Sequence, residues 1–224
     1  MLSFVLSLTN YDLITPPEWA GFANYKQLFT DPLFYQSLKV TLIYALLSVP
    51  LGIVIGVLIA ILMNQKVKGI TIFRTIYYLP AVVSGVAVAI LWQWIFNPEF
   101  GLANYLLWKM FGIQGPNWLF DENWALPALV LMSLWGVGGG MVIYLAGLQG
   151  IPTELYEAAE IDGANWWHKF WKVTIPMLTP TIFFNLIMGT IGAFQVFTQA
   201  YVMTDGGPAN ATLFYALYLY RNGF

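Results

Sequence analysis

The sequence predicts an all-α membrane protein, a polytopic bundle of helices that crosses a lipid bilayer several times. Of its 224 residues, 59% are hydrophobic and 9% are charged, whereas soluble domains carry about 25% charged residues. Four long stretches, each of at least 24 residues, contain no charged residue, at 40–65, 75–98, 123–153 and 173–204. Because a spanning helix needs about 20 predominantly apolar residues, each stretch predicts one crossing.

These stretches predict four spanning helices, at about 40–63, 76–96, 125–149 and 176–203. Segment 1–9 is expected to be the end of an earlier helix, because Asn10 and Asp12 follow its short apolar run. The last residues, 211–224, form an aromatic interfacial segment. We expect one transmembrane domain over 1–224 and six helices in the whole protein, with the first completed before Met1 and a terminal helix after Phe224.

Composition excludes several classes of function. The formal net charge of −2 argues against a nucleic-acid surface, which requires Lys and Arg in excess. With no cysteine and one histidine, the chain offers no basis for a metal site or for a Ser-His or Cys-His catalytic pair. The four uncharged stretches also lack histidine, so they provide no ionisable relay for a membrane-embedded enzyme or an ion-coupled transporter. We therefore predict no catalytic residue, no metal and no nucleic-acid partner.

The basic residues predict the orientation of the bundle. Lys66, Lys68 and Arg74 lie in one short loop that contains no acidic residue, and Lys169 and Lys172 lie in a segment two crossings later. By the positive-inside rule, both segments are expected on the cytoplasmic side.

A polar segment at 150–175 separates the last two predicted spans. A connection between helices needs only a few turn residues, but this one has helical patterning and six charged residues. Gly163 permits a turn between two short helices, and the small Ala158 and Ala159 would let another protein approach closely. The segment therefore predicts an elbow that docks on a protein outside the membrane. The alternative is that its acidic residues form an ordinary solvated face.

This segment resembles the EAA loop of ABC importer permeases, the membrane subunits of binding-protein-dependent uptake systems. The family pattern is EAA, three residues, G, nine residues and then I-x-L-P. The chain has Glu157-Ala158-Ala159, Gly163 and Val173-Thr174-Ile175-Pro176, with two conservative aliphatic departures. Flanking segments, LTNYDL at 8–13 with GFANY at 21–25, and MTDGGPANAT at 203–212, are similar to carbohydrate-uptake members.

The resemblance implies a type I ABC importer transmembrane domain in a prokaryotic plasma membrane. It implies a coupling helix that sits in a cleft of an ATP-binding cassette ATPase subunit, and the matching residues are Glu157, Ala158, Ala159, Asp162 and Gly163. It also implies a second homologous permease subunit and an extracytoplasmic solute-binding protein as partners. The sequence contains no GxxxxGK[ST] loop. ATP and Mg²⁺ are therefore expected on the partner ATPase, and no cofactor on this chain.

The function implied by the resemblance is ATP-driven import by alternating access. The solute is expected to be a sugar of the oligosaccharide, polyol or glycerol-phosphate type. A permease for another small polar solute is one alternative, and an ion-coupled secondary transporter is the other.

Two stripes of small and polar side chains are candidates for the translocation pathway. In the predicted helix at 176–203, residues at steps of three and four share one face: Asn185, Met188, Gly192, Gln195 and Gln199. The preceding span has a second such stripe: Ser133, Gly136, Gly140, Tyr144 and Gly147. Neutral hydrogen-bonding groups suit a sugar better than an ion, so the candidate contacts are Asn185, Gln195, Gln199 and Tyr144. Packing between helices is the alternative for both stripes.

Overall fold

The protein is mostly helical, as seen in a computed structural model that describes residues 2–11 and 15–223. Five residues lie outside the described part of the chain: Met1, Asp12, Leu13, Ile14 and Phe224. Asp12 and Leu13 are the last two residues of the LTNYDL segment. The helices within the described part are α1 (Leu2–Leu6), α2 (Ala23–Thr30), α3 (Pro32–Met63), α4 (Ile70–Val82), α5 (Gly85–Ile95), α6 (Leu102–Phe111), α7 (Ala125–Trp135), α8 (Gly138–Gln149), α9 (Thr153–Ile161), α10 (Trp166–Lys169), α11 (Ile175–Phe194), α12 (Thr198–Met203) and α13 (Tyr215–Gly223). A short antiparallel pair, β1 (Thr9–Asn10) and β2 (Glu18–Trp19), follows α1.

Helix α3 is the central element, and it contacts α7, α8, α11 and α13. It begins at Pro32 rather than near residue 40, because proline fits the first turn of a helix and the Asp31 side chain accepts a hydrogen bond from the Leu33 amide. Its 32 residues correspond to roughly 48 Å, which exceeds the ~30 Å hydrocarbon core of a bilayer.

The predicted continuous helices at 76–96 and 125–149 are each broken. Helices α4 and α5 meet at an angle of 100°, and α7 and α8 meet at 46°. The first break follows Val83, which is extended, and lies among weak helix formers between Pro80 and Gly85. The second break lies at Gly136, in a glycine-rich stretch. A Cβ atom at Gly138 would collide with the Tyr77 carbonyl oxygen, so glycine lets α8 lie against the backbone of α4.

The last predicted helix, at 176–203, also differs from the structure. A single continuous helix runs from Trp166 to Phe194 and includes a π-helical turn at Phe170–Thr174. It therefore starts ten residues, or about three helical turns, earlier than predicted, inside the segment 150–175. The chain then leaves helical geometry after Phe194, and α12 starts separately at Thr198.

Two of the helices in the described residues are long and apolar enough to cross a membrane, namely Pro32–Met63 and Trp166–Phe194, and the number rises to four if each bent pair is one span. Large apolar side chains are exposed along α3, α4 and α11. A soluble monomer rarely exposes so much contiguous apolar surface, whereas lipid or another membrane subunit would cover it.

Buried polar groups on α3 are paired with hydrogen-bond partners. The Ser37 hydroxyl donates to the Phe34 carbonyl at 2.7 Å, and the Thr41 hydroxyl donates to the Ser37 carbonyl at 2.8 Å. The Thr41 oxygen also accepts from the Tyr215 amide at 2.9 Å. Helix α13 is thereby joined to α3, and the Tyr44 and Phe214 rings pack edge to face nearby with centroids 5.0 Å apart.

Helices α5 and α12, which each follow a break, lie against one another. The Gln93 side chain donates hydrogen bonds to the carbonyls of Val202 and Met203 at 2.8 and 3.3 Å. At the other end of this contact, a Cβ at Gly85 would lie 3.9 Å from Thr198 Cγ2. The two breaks are therefore neighbours in the bundle.

Candidate functional site

The elbow consists of α9, the turn after it, and α10. Helix α9 ends in a Schellman motif, in which the Gly163 amide donates to the Glu160 carbonyl at 3.0 Å and the Ala164 amide donates to the Ala159 carbonyl at 2.8 Å. Gly163 has φ +76°, a left-handed conformation that favours glycine. The Asn165 side chain then caps α10 by accepting from the His168 amide at 3.0 Å.

The predicted docking residues lie on the surface of this elbow. Glu157, Ala158, Asp162 and Gly163 are exposed, and Ala159 is half-buried. Sequence reasoning did not single out Ile161, whose side chain is 88% exposed at the tip of α9. The sequence feature that could have identified it is its position between the acidic residues Glu160 and Asp162. An apolar side chain exposed to water suggests a surface that binds a partner.

Three of these residues share one shallow groove. Ala159, Asp162 and Gly163 line a cavity of about 350 Å³, together with Ala164, His168, Lys172 and Val173. The groove lies between the end of α9 and the start of the long helix, so a protein that covers α9 would also cover it. Glu157 and Ala158 lie outside the groove on the exposed surface of α9.

Two side-chain contacts join α9 to the long helix. Lys169 and Glu160 form an ion pair at 2.6 Å. The hydroxyls of Tyr156 and Thr174 are 3.0 Å apart. The ring of Tyr156 also packs against an apolar cluster that includes Met63 of α3. The elbow therefore has a defined position relative to the bundle.

A cavity with both apolar and polar lining residues lies between α3, α7, α8 and α11. Its volume is about 270 Å³, and its polar lining is Tyr44, Ser48, Ser133, Tyr144 and Asn185. The Tyr44 hydroxyl lies beside the hydroxyls of Ser48 and Ser133. The Asn185 amide donates to the Thr181 carbonyl at 2.9 Å. The residues that line this cavity, all within the described chain, include no Asp, Glu, His, Lys or Arg.

The structure brings two of the four predicted pathway residues together. Tyr144 and Asn185 both line the cavity, but Gln195 and Gln199 do not. The prediction that these glutamines extend the Asn185 stripe is wrong, because α11 ends at Phe194 and Gln195 is its exposed C-cap. Gln199 belongs to the separate helix α12.

Sequence reasoning missed the contribution of α3 to the cavity. Tyr44 and Ser48 lie one turn apart on that helix and supply two of the lining hydroxyls. Their spacing of four residues inside an uncharged span was the signal that could have identified them.

Several known proteins that are similar to this chain are membrane permeases. The family described as "Binding-protein-dependent transport system inner membrane component" matches residues 52–223, which include the elbow. The probable ABC transporter permease protein YesP of Bacillus subtilis is 47% identical over 226 residues, covering 99% of this chain and 73% of YesP. The lactose transport system permease protein LacF of Rhizobium radiobacter is 39% identical over 213 residues, covering 92% of this chain and 71% of LacF.

A solved structure has the same fold. It is a bacterial alginate ABC transporter in complex with an alginate pentasaccharide-bound periplasmic protein, and one of its chains matches with a TM-score of 0.80 and 28% sequence identity, over 91% of this chain and 72% of that chain. Three observations indicate the same family: the exposed elbow, the helical bundle and the family match over most of the sequence. The chain belongs to the family of binding-protein-dependent transport system inner membrane components, the permease subunits of ABC importers.

Proposed function

We propose that this permease imports a sugar and that a separate ATPase subunit drives it through the elbow. The observation that carries the proposal is the presence, in one chain, of an exposed helix α9 and of an uncharged cavity whose lining includes four hydroxyls and one amide. Hydroxyl and amide groups can both donate to and accept from the hydroxyls of a sugar. Similarity to a lactose permease and to an alginate transporter supports the same class of solute.

The elbow is proposed to lie in the cytoplasm. Arg74 donates two hydrogen bonds to the Met63 carbonyl, at 3.1 and 2.7 Å. Arg74, near the start of α4, and the basic loop before it are therefore at the end of α3 that faces the elbow, where Asn64 lines one cavity together with Tyr156 and Lys169. Five basic residues of the two segments thus gather at one end of the bundle, as the positive-inside rule requires of a cytoplasmic surface.

The ATPase is proposed to hold α9 in a cleft. Glu157, Ala158, Ala159, Asp162 and Gly163 are the proposed contacts, because they combine small side chains with acidic groups on an exposed surface. ATP and Mg²⁺ would bind to that subunit. A second, homologous permease subunit would complete the pathway, and a solute-binding protein would deliver the sugar from outside, as the alginate complex includes a periplasmic protein.

Transport would proceed by alternating access. ATP binding moves the docked elbows, and the cavity opens toward the solute-binding protein; hydrolysis then returns it toward the cytoplasm. ATP can drive this exchange only because the ATPase binds the two states of the permease with different affinities. The breaks between α4 and α5 and after α11 are positions where the spans can bend without loss of further helical hydrogen bonds.

The test is ATP hydrolysis by the complete transporter in proteoliposomes, with its solute-binding protein loaded in turn with oligosaccharides, polyols and glycerol phosphodiesters. We expect a sugar to stimulate hydrolysis and to accumulate inside the vesicles. Stimulation by none of the sugars would refute the carbohydrate assignment. Uptake driven by a proton or sodium gradient without ATP would instead favour a secondary transporter.

A further inference from the structure

Tyr156 holds α9 against the bundle. Among the nine residues of α9, all of which are described, it is the large side chain that is half-buried, while Leu155 and Ile161 are exposed. Its ring packs on the apolar cluster formed by α3, α8 and the start of α11, which includes Met63, Leu148 and Leu178. Any rigid movement of α9 must therefore carry this ring with it or break its packing.

The Tyr156 hydroxyl meets Thr174 at the point where the long helix changes its geometry. Thr174 is the last residue of the π-helical turn and is 7% exposed. Its hydroxyl lies 3.0 Å from the Tyr156 hydroxyl and 3.4 Å from the Lys169 carbonyl. A hydroxyl has one proton, so a Thr174 hydroxyl that donates to Lys169 must accept from Tyr156. The three groups thus form a directed chain from α9 to the backbone of the π-turn.

Because Thr174 belongs to the π-turn, a movement of Tyr156 can change the geometry of the long helix at this point. A single π-helical turn inside an α-helix has one extra residue per turn, and such turns often mark functional positions. The Thr174 hydroxyl donates a long hydrogen bond, of 3.4 Å, to the Lys169 carbonyl at the start of that widened turn. Pulling on Thr174 would therefore act on the turn itself, from which α11 continues directly at Ile175.

The other contact between α9 and this helix is weaker. The Glu160 side chain of the Glu160–Lys169 ion pair is 61% exposed, and exposed ion pairs are screened by water and salt. The hydroxyl contact is more enclosed, because Thr174 is 7% exposed and Tyr156 is half-buried, and a hydrogen bond costs more to lose where water has less access to its groups. The Tyr156–Thr174 contact is therefore the more rigid connection.

Helix α11 leads from Thr174 to the cavity. Asn185 lies eleven residues beyond Thr174 on the same helix, a distance of roughly 16 Å along the axis. We propose that the Tyr156–Thr174 hydroxyl pair is the linkage that transmits movement of α9 to α11, so that it positions the cavity in response to the ATPase. This inference rests on the proposed function. Both residues act through α11 and touch neither solute nor nucleotide.

The test compares transport with ATP hydrolysis in one preparation of the complete transporter. Tyr156→Phe and Thr174→Val each remove one hydroxyl and keep the size of the side chain, whereas Thr174→Ser keeps the hydroxyl. We expect the first two to lower the number of sugar molecules imported per ATP by about three- to tenfold, the factor expected from one enclosed hydrogen bond. Thr174→Ser should retain most of the normal ratio of sugar molecules imported to ATP hydrolysed. The double variant should be no worse than either single one, because both remove the same contact.

Tyr25→Phe is the matched control, because Tyr25 also forms a hydroxyl pair, with Ser7 at 2.7 Å, far from the elbow in sequence. It should leave the ratio unchanged. Parallel loss of uptake and hydrolysis in Tyr156→Phe would overturn the proposal, and so would loss of the ATPase from the purified complex, which would mean that Tyr156 supports docking alone. If the proposed function itself is wrong, the unmodified transporter will show no ATP-dependent sugar uptake, which distinguishes the two failures.

Discussion

The ring of Tyr144 on α8 lies directly against Gly56 on α3. A Cβ atom at residue 56 would come within 2.9 Å of Tyr144 Cε2, which is inside the optimal carbon separation of about 3.5–4.0 Å. Because Tyr144 also lines the cavity, the missing side chain at Gly56 leaves room for one wall of the pathway.

Gly56→Ala should therefore displace the Tyr144 ring. We expect lower sugar uptake and a loss of about 1–3 kcal/mol in stability, typical of an overpacked core. Gly52→Ala, one turn earlier, is the matched control for stability, since its nearest neighbour would be Val137 Cγ1 at 3.9 Å. Thermal unfolding of both variants and sugar uptake by Gly56→Ala check the prediction. Equal melting temperatures for the two would contradict it.

Ala159→Arg should uncouple the transporter. The side chain would fill the groove beside Asp162 and Gly163 and block close approach of the ATPase, but it leaves the spans unchanged. We expect normal amounts of permease in the membrane and loss of uptake. Ala23→Arg, at an exposed position in α2, should transport normally. Unimpaired uptake by Ala159→Arg would refute the docking surface.

Asn185→Leu should weaken solute binding. Removal of the amide takes one hydrogen-bonding group from the cavity and lowers apparent affinity by about tenfold, as expected for a lost polar contact. Gln195→Leu makes a similar chemical change at a residue that does not line the cavity. It should leave the concentration for half-maximal uptake unchanged. The measurement is sugar uptake against concentration, and an equal shift in both variants would show that the cavity does not bind the solute.

Gly163→Ala should misplace the elbow. The left-handed conformation costs about 1–2 kcal/mol for a residue with a Cβ atom, so the Schellman turn after α9 would loosen. Gly112 also ends a helix with positive φ, +67°, and has open space around it. We expect Gly163→Ala to reduce copurification of the ATPase and Gly112→Ala to retain it. Asn tolerates this conformation, so recovery in Gly163→Asn would assign the defect to the backbone.

The main features of the fold follow from simple patterns. Charge-free stretches indicate where the spans lie, since a charge in a bilayer is costly. The turn within the elbow follows from Gly163, but the predicted second short helix is instead the start of the continuous helix Trp166–Phe194. Continuity of the spans could not be predicted in the same way. Val83 and Gly136 interrupt helices because of backbone geometry and close packing of neighbours, which hydropathy does not describe.

The cavity was predictable only in part, because helical spacing identifies neighbouring side chains only within one unbroken helix. Helical spacing correctly associates Tyr144 with Gly140, because α8 is regular there. The same reasoning fails for Gln199, because a stripe of side chains requires an unbroken helix and α11 ends before it. Tyr44 and Ser48 join the site through tertiary contact between helices, which the spacing within one helix does not report.

The contact between α5 and α12 constrains one partner more than the other. Gln93 supplies the side chain, whereas Val202 and Met203 supply only backbone carbonyls. Every amino acid carries such a carbonyl, so the last turn of α12 can change its sequence and still accept these hydrogen bonds, while residue 93 needs a long side chain with an N–H group. This contact therefore constrains the side chain at position 93 of α5 but not the side chains of α12. The face of α12 that points away from α5 can vary to fit a neighbouring subunit in the assembled transporter.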